Sequence, residues 1–150
     1  LIMKNISLLL PFIVGIALTA QASINGQLRT AVNSPLLATL ISFIVGTVFL
    51  IGVILFTSDK VPSLSELSQI EWYKYTGGLL GAFIVMAIIL SIKNINPSSL
   101  FALIVAGQLI TALVFEQLGI LGVRQSSINW SKVVGVILLV AAVYLINRKK

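Results

Sequence analysis

The amino-acid sequence predicts an all-α membrane protein with five transmembrane helices, and three observations support this fold class. Hydrophobic residues make up 58% of the 150 residues, whereas charged residues make up only 9%. Because a soluble domain usually carries about a quarter charged residues, water could not solvate a compact surface of this chain. The apolar residues also fall into five stretches, and a helix needs about 20 such residues to cross a bilayer.

The apolar stretches are separated by residues that favour turns. We expect a single transmembrane domain over residues 1–150. Its predicted helices lie at about residues 6–26, 35–56, 73–92, 98–117 and 130–147. Asn25-Gly26 and Asn33-Ser34-Pro35 have turn composition, so they predict a short loop between the first two helices.

The longest connection, residues 57–71, contains signals for a short helix at the membrane surface. Either Ser65, or Ser63 with Glu66 three residues later, can cap such a helix, and the second arrangement is a capping box. Trp72 and Trp130 begin the third and fifth predicted spans, where indole rings favour the headgroup region. Both tryptophans fall on the same side of a five-span chain, which supports this number of spans.

The first apolar stretch has an alternative interpretation as a secretory signal peptide. Lys4 precedes an apolar run from Ile6 to Leu18, and Ala20-Gln21-Ala22 resembles a small-residue cleavage site. Cleavage at that point would leave four spans. Because the run is close to the full length of a spanning helix, we favour a first span.

The ionisable residues exclude most enzyme chemistry. The sequence contains no cysteine and no histidine, which removes thiol nucleophiles, thiolate metal sites and the commonest general base. The four acids are Asp59, Glu66, Glu71 and Glu116. The ten Lys and Arg residues are scattered between the apolar stretches, whereas a nucleic-acid-binding protein clusters them on one face. We therefore expect no enzymatic activity, no metal or other cofactor, and no nucleic-acid partner.

The Lys and Arg residues are divided evenly between the two sides of a five-span chain. The side of the N-terminus carries Lys4, Lys60, Lys74, Arg124 and Lys132. The opposite side carries Arg29, Lys93, Arg148, Lys149 and Lys150. Because the positive-inside rule needs an asymmetry, two hypotheses stay open. Either copies insert in both orientations and pair antiparallel, or loop lengths and the cationic tail fix one orientation.

Polar residues inside the spans are the candidate binding residues. Gln21 and Asn25 lie four residues apart on one face of the first span, with Gln21 about 22 Å from Ile6 and therefore off-centre. Gln108 lies near mid-depth of the fourth span, and Thr111 is on the same face. Such groups are costly against lipid, so they should face the bundle interior or a wet cavity. They line a substrate path or form interhelical hydrogen bonds.

Glu116 is the acid closest to the centre of a span. It follows Ser98 by about 27 Å, which places it near the N-terminal side of the membrane. A carboxylate within the membrane can bind a proton and a substrate in turn, but an interfacial carboxylate is the simpler interpretation. Arg124 and Lys132 lie on the same side and are its candidate ion-pair partners.

The third span begins with small residues that favour close helix packing. Gly77 and Gly81 have GxxxG spacing, with Gly78 between them. Small residues let helix backbones approach closely, and we expect these three glycines to pack within the chain rather than between chains.

Several short motifs occur in a characteristic order along nearly the whole chain. They are Gln21-x-x-x-Asn25-Gly26-x-Leu28, Pro35, Ser42-Phe43-x-x-Gly46, Trp72 before Gly77-Gly78-x-x-Gly81-Ala82, Gly107-Gln108 and Gly119-x-x-Gly122. In order and spacing they resemble the short, five-helix branch of the drug/metabolite transporter superfamily, the YdcZ-type proteins. Glu116 departs mildly from that pattern, because relatives more often have Asp at this position.

The resemblance implies a half-size transporter that works as a pair, similar to an inverted-repeat transporter of ten helices split in two, and it implies no particular substrate. We expect a secondary transporter of a small metabolite or drug-like solute in the inner membrane, which works as an antiparallel homodimer by alternating access. From their polarity and depth, the expected substrate-binding residues are Gln21, Asn25, Gln108 and Thr111, with Glu116 as an accessory charge. Small multidrug resistance proteins, which are related short transporters, have an acid inside their first span. This chain has Gln21 there, which argues against a simple proton/drug-cation antiport.

The expected partners are the lipid bilayer, a small-molecule substrate, and either a second copy of the chain or a paralogous half. Two other functions compete with a homodimeric transporter. The chain is alternatively one half of a heteromeric transporter, or a non-transporting subunit that helps another membrane protein assemble. A membrane enzyme is the weakest alternative, because the spans contain no acid/base pair or metal cluster.

Overall fold

A computed structural model describes residues 2–57 and 59–148 of the chain, with side chains from residue 9 onward. The helices are α1 (Ile2–Val32), α2 (Pro35–Thr57), α3 (Leu64–Ser68), α4 (Thr76–Ser91), α5 (Pro97–Leu118) and α6 (Trp130–Asn147). A 3-10 turn, Trp72–Tyr75, leads directly into α4. Five segments of this described chain are long and apolar enough to cross a membrane: Leu9–Val32, Pro35–Thr57, Trp72–Ser91, Pro97–Leu118 and Trp130–Asn147. The predicted fold class is therefore confirmed.

The first helix is longer than predicted, because Asn25-Gly26 does not end it. The helix continues to Val32, and Asn33 follows with a positive φ of 52°. A Cβ built on Gly26 would lie 3.3 Å from Cγ2 of Ile92, so the missing side chain lets α1 approach the end of α4. Packing of the helix against its neighbour outweighs the cost of about 1 kcal/mol for a glycine within a helix.

The boundaries of the other four spans lie within about one residue of those predicted. The short interfacial helix α3 is present, and its N-cap is Ser63 rather than Ser65. The Ser63 hydroxyl accepts a bond from the Glu66 backbone N–H, and the Glu66 carboxylate accepts the Ser63 backbone N–H at 2.7 Å. This reciprocal capping box satisfies two amides that a helix N-terminus would otherwise leave free.

The helices form two compact units, Leu1–Asn94 and Ile95–Lys150. In the first unit, α1 packs against α2 and α4, and α2 packs against α4. In the second unit, α5 packs against α6. Large apolar side chains such as Phe49 and Leu138 are exposed along these helices, as expected where lipid covers them.

Arg29 ties the end of α1 to the end of α4 in the first unit. Its Nη1 donates a hydrogen bond of 2.9 Å to the backbone carbonyl of Ile89 in a part-buried setting. The last four carbonyls of a helix have no partner within the helix, and a cation is favourable beside them. Arg29, which the sequence analysis counted only as a topological charge, therefore caps α4.

The glycines at the start of α4 pack less than predicted. A Cβ on Gly81 would lie 3.6 Å from Cζ of Phe43, so this glycine does sit against α2. At Gly77 and Gly78 a Cβ would meet no atom of the described chain within 4 Å. Of these three glycines, Gly81 is therefore the one whose missing Cβ faces another described helix.

In the second unit, the connection from α5 to α6 folds back onto the end of α5. Gly119 has a φ of 63°, and its N–H donates to the Phe115 carbonyl at 2.8 Å. The Ser126 N–H donates to the Glu116 carbonyl at 2.9 Å, and Gln125 Nε2 donates to the Gln117 carbonyl at 3.1 Å. The connection thereby satisfies carbonyls that the helix end would otherwise leave unpaired.

Candidate functional site

Gln21 lies in the C-terminal half of α1. The helix runs from Ile2 to Val32, so Gln21 is about 29 Å from its start and about 17 Å from its end. The residue is therefore off-centre along the helix.

A groove within the first unit opens beside Gln21. Its volume is about 220 Å³, and its lining residues are Gln21, Ser42, Phe43, Gly46, Thr47, Leu50 and Val85. Helix α2 supplies five of these residues, whose spacing of three to four places them on one face of the helix. Gly46 lies about 17 Å from the start of α2, close to its middle. The groove is therefore at mid-depth of the first unit.

The polar atoms of the groove can bind a solute by hydrogen bonds. The Gln21 side chain is exposed to the groove, and its amide can both donate and accept. This amide has no hydrogen-bond partner among the described residues. The Thr47 hydroxyl donates to the Phe43 carbonyl at 2.8 Å, which leaves its oxygen available as an acceptor. Phe43, Leu50 and Val85 supply apolar surface.

Asn25 does not share the environment of Gln21, although the two residues are one helical turn apart. Its side chain is buried, with 5% of the residue exposed, and it does not line the groove. Its role in a substrate path therefore stays a prediction that this groove does not include. Ser42, Gly46 and Thr47 are among the groove residues that the sequence analysis did not propose. Their i, i+4 and i+5 spacing on α2 is the signal that identifies them.

Gln108 and Thr111 lie together on an open face of α5 in the second unit. They line a shallow depression of about 470 Å³ with Leu103, Ile104, Gly107, Ala112 and Phe115. Both side chains are exposed, and Gln108 is about 17 Å from the start of α5. The predicted shared face and the mid-depth position of Gln108 are both present in the structure.

Glu116 forms an ion pair with Lys132, one of its two predicted partners. Lys132 Nζ lies 2.6 Å from Glu116 Oε2, and the two side chains are 27% and 33% exposed. Lys132 Nζ also donates to the Ser126 hydroxyl at 3.1 Å. Arg124, the other predicted partner, lines an open cavity of about 570 Å³ next to Glu116. The ion pair ties α5 to α6.

The predicted site residues therefore belong to two units. Gln21 and Asn25 lie in the first, while Gln108, Thr111 and Glu116 lie in the second. In each unit an uncharged amide is exposed: Gln21 lines the groove beside the middle of α2, and Gln108 lies at the middle of α5. Among the described residues, no group of three or more acids could hold a metal ion.

Comparison with known proteins gives a family match over nearly the whole chain. Residues 6–145 match the family described as "Putative inner membrane exporter, YdcZ". The chain is 29% identical over 147 residues to the inner membrane protein YdcZ of Escherichia coli (strain K12). That alignment covers 97% of this chain and 98% of the relative. No solved structure matches the chain.

Proposed function

The chain belongs to the family of YdcZ-type inner membrane exporters, and we propose that it carries a small solute through the groove beside Gln21. The family match and the five spans make it a multi-pass inner membrane transporter. An exporter family is not an enzyme class. The solute, its site and the assembly that carries it are the parts that we propose.

The observation that supports this site is the depth of the groove. Three polar side chains, Gln21, Ser42 and Thr47, line an open groove near the middle of the apolar helix α2. Polar groups at this depth are costly against lipid, so they occur where they face protein or a wet path. Secondary transporters bind their substrates near the bilayer midplane.

The working assembly that we propose is an antiparallel pair of copies. Two copies inserted in opposite orientations are related as the two halves of an inverted-repeat transporter, because each copy has an odd number of spans. The Lys and Arg residues are divided evenly between the two sides, so the positive-inside rule favours neither orientation. Transport would then occur by alternating access, as the helices rock around the bound solute. The exposed amide of Gln108 and the hydroxyl of Thr111 are the second proposed set of solute contacts.

The test of transport is a comparison of solutes exported by inside-out membrane vesicles. The vesicles are incubated with a cell extract. Vesicles containing the wild-type chain should take up solutes that vesicles without the chain do not take up. The double variant Gln21→Ala with Gln108→Ala should lose this uptake, because both amides proposed to bind the solute are removed. Gln27→Ala is the matched control, since Gln27 is exposed on α1 and does not line the groove. It should keep the uptake.

Two results would contradict the proposal. If the double variant transports as well as the control, the solute site is elsewhere. If the chain alone in liposomes moves no solute of the extract, while a different membrane protein copurifies with it, the chain is a half of a heteromer or an assembly subunit.

The orientation of the chain can be measured because its sequence has no cysteine. Single cysteines replace Ser65 in one variant and follow Lys150 in another, and intact cells are treated with an impermeant thiol reagent. Labelling of both sites to about half indicates insertion in both orientations, in accordance with an even distribution of charge. Complete labelling of one site alone indicates a fixed orientation and contradicts a homodimer of opposite copies.

A further inference from the structure

We propose that the groove beside Gln21 binds an uncharged solute that has both hydrogen-bonding and apolar surface. This inference rests on the proposed function, because it names the class of solute for that same groove. It depends on three features of the first unit: the position of its charges, the polar atoms of the groove and the apolar walls.

Charged side chains lie far from the groove along the three spans of the first unit. Helix α2 contains no charged residue from Pro35 to Thr57. The span of α1 contains Arg29, about 12 Å along the axis from Gln21 and engaged with the Ile89 carbonyl. The span of α4 contains Lys74, which lies in its opening 3-10 turn and pairs with Glu71.

A charged solute would therefore enter the middle of this unit without a counter-charge. Transfer of an ion from water to a site of low dielectric constant is strongly unfavourable unless an opposite charge or several hydrogen bonds compensate it. For this reason charges inside membranes pair with one another or with backbone groups. The lining of this groove offers no such charge.

An uncharged polar solute meets suitable partners in the same groove. The Gln21 amide offers a donor and an acceptor, and the Thr47 oxygen offers an acceptor because its proton is already committed to the Phe43 carbonyl. The Phe43 ring, Leu50 and Val85 cover the apolar part of the solute. Hydroxyl, amide and carbonyl groups on a compact apolar body therefore match the site, as small-molecule sites generally combine apolar walls with a few polar groups.

Three probes with the same ring and different charge test this inference. Benzyl alcohol is neutral at pH 7, benzylamine is a cation and benzoate is an anion. The full chain is placed in nanodiscs of phosphatidylcholine, and the binding of each probe is measured by ligand-observed NMR. The signal of empty nanodiscs of the same lipid is subtracted, because it reports the partition of each probe into the lipid alone. Gln27→Leu serves as the matched control.

The wild-type chain should bind benzyl alcohol at least tenfold more tightly than either charged probe. Gln21→Leu should weaken this binding severalfold. Ser42→Ala, which removes only a hydroxyl from α2, should also weaken it, but by less. Gln21→Glu should reverse the preference toward the benzylamine cation, because it supplies the missing counter-charge. Gln27→Leu should bind all three probes as the wild-type chain does.

Two results would overturn the inference, and they have different meanings. If a charged probe binds the wild-type chain as tightly as benzyl alcohol and loses binding in Gln21→Leu, the groove is the solute site but its class of solute is wrong. If no probe responds to Gln21→Leu or to Ser42→Ala, the groove is not a solute site, and the proposed function at this groove fails with the inference.

Discussion

Replacement of Arg29 by Met should loosen the first unit at the end of α4. The substitution keeps an apolar stem of similar length but removes the hydrogen bond of 2.9 Å to the Ile89 carbonyl. A bond from a charged donor contributes about 1.5–3 kcal/mol, and a cation at a helix C-terminus contributes about 0.3–1 kcal/mol by itself. Because Arg29 is only part-buried, we expect the free energy of unfolding to fall by about 2 kcal/mol.

The assay is reversible unfolding of the purified chain in mixed micelles, with the anionic detergent as denaturant. Lys93→Met is the matched control, since Lys93 is exposed in the turn after α4 and undergoes the same change in charge and hydrophobicity. A change in the control should stay within about 0.5 kcal/mol, as is usual for exposed sites. Arg29→Lys should recover part of the loss, because an ammonium donates to a carbonyl without the planar guanidinium geometry.

The reasoning is refuted if Arg29→Met and Lys93→Met have the same stability. Equal stability would mean that the Ile89 carbonyl finds another donor or that the contact of α1 with α4 does not depend on it. The close approach of Gly26 to Ile92 would then be the main tie between these two helix ends.

Two further predictions concern the charged groups outside the groove. A double-mutant cycle with Glu116→Gln and Lys132→Gln should give a coupling energy of about 1 kcal/mol, whereas a value near zero would contradict an ion pair in solution. The backbone N–H and the hydroxyl of Ser63 donate to the Glu66 carboxylate and hold its pKa below the ordinary value of 4.5. These capping bonds therefore stabilise α3 above pH 4.5, and the stabilisation is lost as the pH falls through the lowered pKa. Carbon NMR should show that pKa rising in Ser63→Ala, and an unchanged value would contradict the capping box.

The sequence predicted the spans well because the requirement for apolar length is local and strong. Four of the five spans begin and end close to the predicted residues, and the resemblance to YdcZ-type proteins is confirmed by the family match. The predicted end of α1 was wrong, because Asn25-Gly26 has turn composition but lies within the helix. Whether such a pair ends a helix depends on what packs against it, and here the neighbour is Ile92 at the end of α4.

The candidate site could be predicted only in part, because a groove depends on which helix faces meet. A polar residue within a span is visible in the sequence, and this identified Gln21 and Gln108. Burial of Asn25 and the participation of Ser42 and Thr47 depend on tertiary packing. The ion pair of Glu116 with Lys132 was predicted correctly because the two residues lie on the same side of the membrane, where opposite charges attract one another.

The central claim is that a wet path reaches the middle of the membrane beside Gln21, and cysteine reactivity tests it most directly. Gly46→Cys places a thiol in the groove, where a Cβ meets no atom within 4 Å. Val45→Cys places one at the same depth on another face of α2, where Val45 is 64% exposed. Thiols react as thiolates, which form in water and not in lipid.

In proteoliposomes treated with an impermeant thiosulfonate reagent, Gly46→Cys should react at least tenfold faster than Val45→Cys. Equal rates for the two cysteines, whether both fast or both negligible, would contradict a water-accessible solute path through this groove.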